Sequence, residues 1–139
     1  MIIDKNLLFS DAQAITGTAR STNVIDMGAI AAGSNLGKGN EDVEVFVQVV
    51  TTMDSSGEAA TLTVTLCTDS DETISNGTVL QSTAAIPEAT LVAGYQLSLG
   101  RVPVNALRYL DLNYTVGTEN FTSGAITAGL ILDRQTNQN

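Results

Sequence analysis

Apolar residues along this chain recur at every second position, the period of an extended backbone. Val43, Val45, Val47 and Val49 share one parity, with Glu44, Phe46 and Gln48 on the other. Leu62, Val64 and Leu66 alternate with Thr61, Thr63 and Thr65, and Leu110, Leu112, Tyr114 and Val116 alternate with Tyr109, Asp111, Asn113 and Thr115. Successive side chains of a strand point to opposite faces, so each run predicts a strand with one buried and one wetter face. Weaker strand signals lie at 23–29, 78–84, 91–93, 96–99 and 126–132. Turn signals rich in Gly, Asn, Asp, Ser and Thr separate them at 54–57, 75–77, 116–118 and 122–124.

Helical signals are short. Residues 10–14 (SDAQA) predict at most one turn, capped by Ser10 or Asp11 and ended by Thr16 and Gly17. Residues 88–91 predict a turn after Pro87 or an extended lead into the next strand. About eight short strands with almost no helix predict an all-β fold, an antiparallel β-sandwich. Eight strands favour an eight-stranded jelly roll over a seven-stranded immunoglobulin-like sandwich. Residues 1–139 read as a single domain with an N-terminal arm over about 1–9, a loop at 31–40 and a short polar tail at 135–139. Leu7, Leu8 and Phe9 place an apolar cluster in that arm, which must dock on its own domain or on a neighbour.

Composition narrows the chemistry. The 139 residues include 15 acids, 6 bases, one Cys, no His and no Trp, for a formal charge of −9. Such a charge repels phosphate, so neither nucleic acid nor an anionic membrane is an expected partner. The absence of His removes the commonest general base and metal ligand, and a lone Cys makes neither an internal disulfide nor a thiolate cage. No cofactor and no metal are expected. The first residues carry no basic run followed by a long apolar stretch, so no secretory signal is expected, and no window is apolar enough for a membrane helix.

Individual motifs fall short of a reaction centre. Residues 32–39 (AGSNLGKG) approach a phosphate-binding loop, but Gly39 stands where a Ser or Thr would hold magnesium. Asp69, Asp71 and Glu72 crowd one turn without the register of a calcium loop, and read as a solvated hairpin tip. Sequons at Asn76, Asn113 and Asn120 read as chance matches in a chain rich in Asn and Thr. Neither a Gly-x-Ser-x-Gly elbow nor a Ser-x-x-Lys motif occurs, so no nucleophile is armed and no enzyme is expected. Cys67 reads as a small semi-buried packing residue. Arg101, Arg108 and Arg134 are half of the bases. They read either as anchors of a protein–protein interface or as neutralisers of acids such as Asp111 and Asp133.

Four segments together resemble the jelly-roll capsid cement, or decoration, proteins of short-tailed bacteriophages. They are residues 1–15 (MIIDKNLLFSDAQAI), 21–28 (STNVIDMG), 108–117 (RYLDLNYTVG) and 124–133 (GAITAGLILD). The resemblance implies a structural virion protein on the outer surface of an icosahedral shell built from an HK97-type major capsid protein, where it stabilises contacts between capsomers. It implies that major capsid protein as partner, self-association as dimers with trimers as the alternative, and synthesis in a host bacterial cytoplasm. Leu7, Leu8, Phe9, Arg101 and Arg108 are the expected capsid or subunit contacts. The alternative from another class is a carbohydrate- or receptor-binding jelly roll on the virion surface. Against that alternative stand the three Tyr, three Phe and no Trp available for stacking on sugar rings.

Overall fold

The computed structural model describes residues 4–28 and 43–132. The loop at 31–40 with its phosphate-loop-like stretch, the tail at 135–139, residues 1–3 of the arm, Asp133 and Arg134 lie outside the described residues. Within the described residues the chain forms ten strands and no α-helix. These are β1 (Leu8–Ala14), β2 (Ala19–Arg20), β3 (Ile25–Asp26), β4 (Val43–Ser55), β5 (Thr61–Asp69), β6 (Thr78–Ser82), β7 (Ile86–Pro87), β8 (Gln96–Arg101), β9 (Tyr109–Gly117) and β10 (Phe121–Leu132). Short 3-10 turns occupy Lys5–Leu7 and Glu88–Thr90.

Two antiparallel sheets result. One is ordered β1-β10-β4-β8; the other is ordered β2-β9-β5-β6, with β3 also on β9 and β7 also on β5. Their inner faces contribute to one hydrophobic cluster. It contains Val45, Val47, Val49, Ile126, Ala128 and Leu130 from the first sheet, and Leu62, Val64, Leu66, Leu110, Leu112 and Tyr114 from the second. The period-two pattern therefore points the expected side chains inward. Burial of that apolar area is the main force holding the sheets together.

Several expected elements differ. Residues 10–14 are not a helical turn but the body of β1, which pairs with β10 at Ser10↔Ala128 and Ala14↔Ala125. One isolated helical turn closes few hydrogen bonds, whereas a sheet partner supplies a ladder. The strand is bulged between Ser10 and Gln13, where Ala12 takes a φ of 45° and its N–H reaches Thr127 Oγ1 at 2.9 Å. The 122–124 signal makes no turn, because Gly124 lies within β10 at a φ of 138° and accommodates an irregular register against β4. The 91–93 signal makes no strand. Leu91 instead closes the 3-10 turn and is fully buried. Among the described residues ten strand segments stand beside the expectation of about eight, since the 23–29 signal yields only β3, the 91–93 signal yields none, and β1, β2 and β7 carried no strand signal of their own.

Candidate interaction surface

Arg101 ends β8 and Arg108 precedes β9, so these two expected anchors bracket a single loop, residues 102–108. Its backbone is pinned from below. Val102 and Ala106 are buried at 0% and 3% exposure, and Ala106 N–H donates to Pro103 O at 3.1 Å. Leu107 N–H donates to Thr68 Oγ1 at 2.8 Å, and that hydroxyl donates in turn to Tyr109 O at 2.9 Å. With Val102 and Ala106 facing inward, the loop projects Val104 at 77% exposure and Leu107 at 37%. Val104 is the most exposed of the large apolar residues described. Exposed apolar side chains on a hydrogen-bonded loop beside arginines suit a protein–protein interface, whose centre is apolar and in which Arg is enriched. The sequence had singled out the two arginines as candidates. Val104 was not among those candidates, its only signal being its place beside Pro103 in an acid-free stretch.

Arg108 is held in a bidentate pair with Asp26: Nε donates to Oδ1 at 2.8 Å and Nη2 to Oδ2 at 2.8 Å. Its guanidinium carbon sits 5.0 Å from the centroid of the Tyr109 ring, within cation–π range. The Arg108 hydrogen bonds, helped by Gly28 N–H, lower the Asp26 carboxyl to a pKa of about 2. Arg101 faces Glu44 across the β4–β8 ladder. The expectation that these arginines neutralise nearby acids thus holds for Arg108, but with Asp26 rather than Asp111, while Asp133 and Arg134 lie outside the described residues. Asp111 is paired with Arg20, Nη1 to Oδ2 at 2.5 Å, because β2 lies beside β9 and brings Arg20 over it. Burial pushes the Asp111 carboxyl up, against the pull of the Arg20 hydrogen bond and charge.

Leu7, Leu8 and Phe9 stand elsewhere. Phe9 is fully buried in the core cluster, Leu8 is 9% exposed, and Leu7 packs partly buried against the same cluster. The arm expected over about 1–9 is therefore already strand from Leu8 onward. The physical reason is local: Gly129 on β10 leaves room for the chain to pass, and a Cβ there would lie 2.8 Å from Leu7 O and 3.1 Å from Leu8 Cδ2. Next to them Ser10 Oγ bonds Tyr114 Oη at 2.8 Å and donates to Gln13 Oε1 at 2.7 Å, which ties β1 to the opposite sheet.

The remaining chemistry-bearing residues serve local structure. Asp69 Oδ1 accepts from Ser70 N–H at 2.7 Å and Asp71 N–H at 3.2 Å, shaping the acidic turn. No group of three or more potential metal ligands occurs among the described residues. Cys67 is buried, and desolvation, with Asp111 across the ladder, pushes its thiol pKa up, which makes it a poor nucleophile. An open cleft of about 340 Å³ is lined by Lys5, Asn6, Leu8, Asp11, Asn23 and Val24, with no aromatic ring to stack on a sugar. No helix among the described residues is long and apolar enough to cross a membrane.

The architecture defines an all-β protein of antiparallel sheets. The Bbp16 family model matches residues 9–130, and the chain belongs to the Bbp16 family. A search of curated proteins returns no match.

Proposed function

We propose that this protein is a capsid cement protein, which binds the outside of an assembled icosahedral phage shell and clamps neighbouring copies of an HK97-type major capsid protein. The observation that carries the reading is the pinned loop 102–108, with Val104 exposed between Arg101 and Arg108. It joins the resemblance of residues 1–15, 21–28, 108–117 and 124–133 to cement proteins. Binding rather than catalysis is the role proposed.

The accompanying fold reading is an eight-position jelly-roll sandwich. Because β2 and β3 both lie on β9, and β6 and β7 both lie on β5, the ten segments reduce to eight positions in chain order. The pairings then nest as first with eighth, second with seventh, third with sixth and fourth with fifth, the pattern of one long hairpin rolled up. Nested pairing of this kind favours the jelly roll over the immunoglobulin arrangement.

A shell held by many weak contacts gains stability from a multivalent clamp, since a second contact forms at high effective concentration once the first is made. The net charge of −9 suits an exterior site away from packaged DNA. Mixing the purified protein with undecorated capsids tests the reading. Saturable co-sedimentation and greater heat resistance of the decorated shells are expected, and Val104→Glu should abolish both while preserving the circular dichroism spectrum. Absence of co-sedimentation, or saturation by the Val104→Glu protein at the wild-type concentration, would overturn it.

A further inference from the structure

The link between β5 and β6 folds back over the strand it leaves, burying Ile74 and Cys67. A Cβ at Gly77 would lie 2.5 Å from Ile74 Cγ2, 3.1 Å from Thr68 O and 3.3 Å from Cys67 Cβ, so the link closes over β5 only with glycine there. Asn76, the residue before it, is exposed, and among the described residues no hydrogen bond holds its carboxamide. This is the only Asn-Gly pair in the chain. Neither residue takes a positive φ, so the pair is not the tight primed turn that Asn-Gly forms in short hairpins. The same link steadies a buried charge. Arg20 Nη2 donates to Ser75 O at 3.2 Å, while Nη1 of the same guanidinium pairs with Asp111. Asp111 is 1% exposed, its Oδ1 has no hydrogen-bond partner, and it stands opposite Cys67 in the ladder of β5 with β9.

We propose that Asn76-Gly77 is a site of spontaneous deamidation, and that its isoaspartyl product frees Ser75 from Arg20 and opens Cys67 to solvent. The nucleophile is the Gly77 amide nitrogen, which no side chain on its own residue shields. Its proton goes to hydroxide as the nitrogen bonds Asn76 Cγ. The Cγ–Nδ2 bond breaks, and ammonia leaves with a proton taken from water. Water then opens the five-membered imide at either carbonyl. One opening gives aspartate; the other gives isoaspartate, in which the main chain runs through Cγ and is longer by one carbon. That carbon adds about 1.5 Å of chain. It enters between two fixed points, Ser75 O on Arg20 and Thr78 on Thr68. Thr78 is one of several β6 residues sharing a ladder, whereas Ser75 is held by one exposed hydrogen bond, so Ser75 yields first. The new carboxylate also joins Asp71 and Glu72 on the same link, where like charges repel.

The inference is independent of capsid binding and is tested on the purified chain. After two weeks in mildly alkaline buffer at body temperature, anion exchange should resolve a fraction with one added negative charge. Peptide mapping should place a gain of one mass unit at residue 76, and an isoaspartyl-specific methyltransferase should label it there. Asn113, held in β9 and followed by the buried Tyr114, should stay intact. Asn76→Gln should block the change, because its longer side chain must close a six-membered ring. Cys67 is the only thiol, so a soluble aromatic disulfide reports on it alone. In the aged fraction Cys67 should react at least about tenfold faster than in fresh protein. Asn76→Asp, which adds the charge without the extra carbon, should react at the fresh rate. An Asn76 that stays intact, an aged fraction whose Cys67 reacts no faster, or an Asn76→Asp protein as reactive as the aged fraction would overturn the proposal.

Discussion

Replacing Phe9 with Ala separates two roles for the N-terminal segment. The ring is 0% exposed and packs in a core built from both sheets. Its removal forfeits the transfer free energy of the ring and leaves a cavity whose walls are hydrogen-bonded strands with little freedom to collapse. Such truncations cost about 3–5 kcal/mol. For a domain of 139 residues, that loss lowers Tm by roughly 10–15 °C. The urea midpoint should fall in proportion, with the slope of the transition unchanged, because the surface exposed on unfolding barely alters. The counterpart is deletion of residues 2–6, whose described members Asp4, Lys5 and Asn6 are exposed; that deletion should cost less than about 1 kcal/mol. Reversible urea unfolding followed by circular dichroism measures both. A Phe9→Ala protein within 1 kcal/mol of wild type would refute the reasoning, and would return the segment to the role of a loosely held arm.

Two further perturbations test the geometry. Because the Asp26 carboxyl is held at about 2, below its ordinary 3.8, its pairing with Arg108 stabilises the fold above pH 4, and that contribution is lost as pH falls toward 2. Arg108→Ala should move the Asp26 midpoint upward in a carboxylate-detected NMR titration, and an unmoved midpoint would show that Arg108 does not set it. Gly124→Ala should destabilise by about 2–4 kcal/mol, combining overpacking with an unfavourable backbone. At its φ of 138° a Cβ would fall 2.1 Å from Met53 Sδ and 3.1 Å from Met53 Cα. Thermal unfolding at wild-type temperature would contradict that contact.

The strands that were legible in the sequence are those buried on one face over several residues. Val43 to Val49, Leu62 to Leu66 and Leu110 to Tyr114 alternate because each inner side chain meets the opposite sheet. β1 escaped because its burial does not alternate. Leu8, Phe9 and Ser10 are all buried, then the bulge at Ala12 shifts the pattern. Gly124 and Gly129 are both glycines, yet one permits an irregular register and the other a close crossing, a distinction that exists only against Met53 and Leu7. The arginines were legible as residues but not as pairs, since Asp26 and Arg108 lie 82 positions apart.

Sequence alone determined that this chain is all-β, acidic and without histidine, because period-two patterning and charge are properties of the chain itself. The tertiary structure decided that Phe9 belongs to the core and that Val104 stands out between two arginines. Those facts depend on which strands lie side by side. Pairings between residues more than 100 positions apart, such as Ser10 with Ala128, are set by the joint burial of both sheets and not by any local signal.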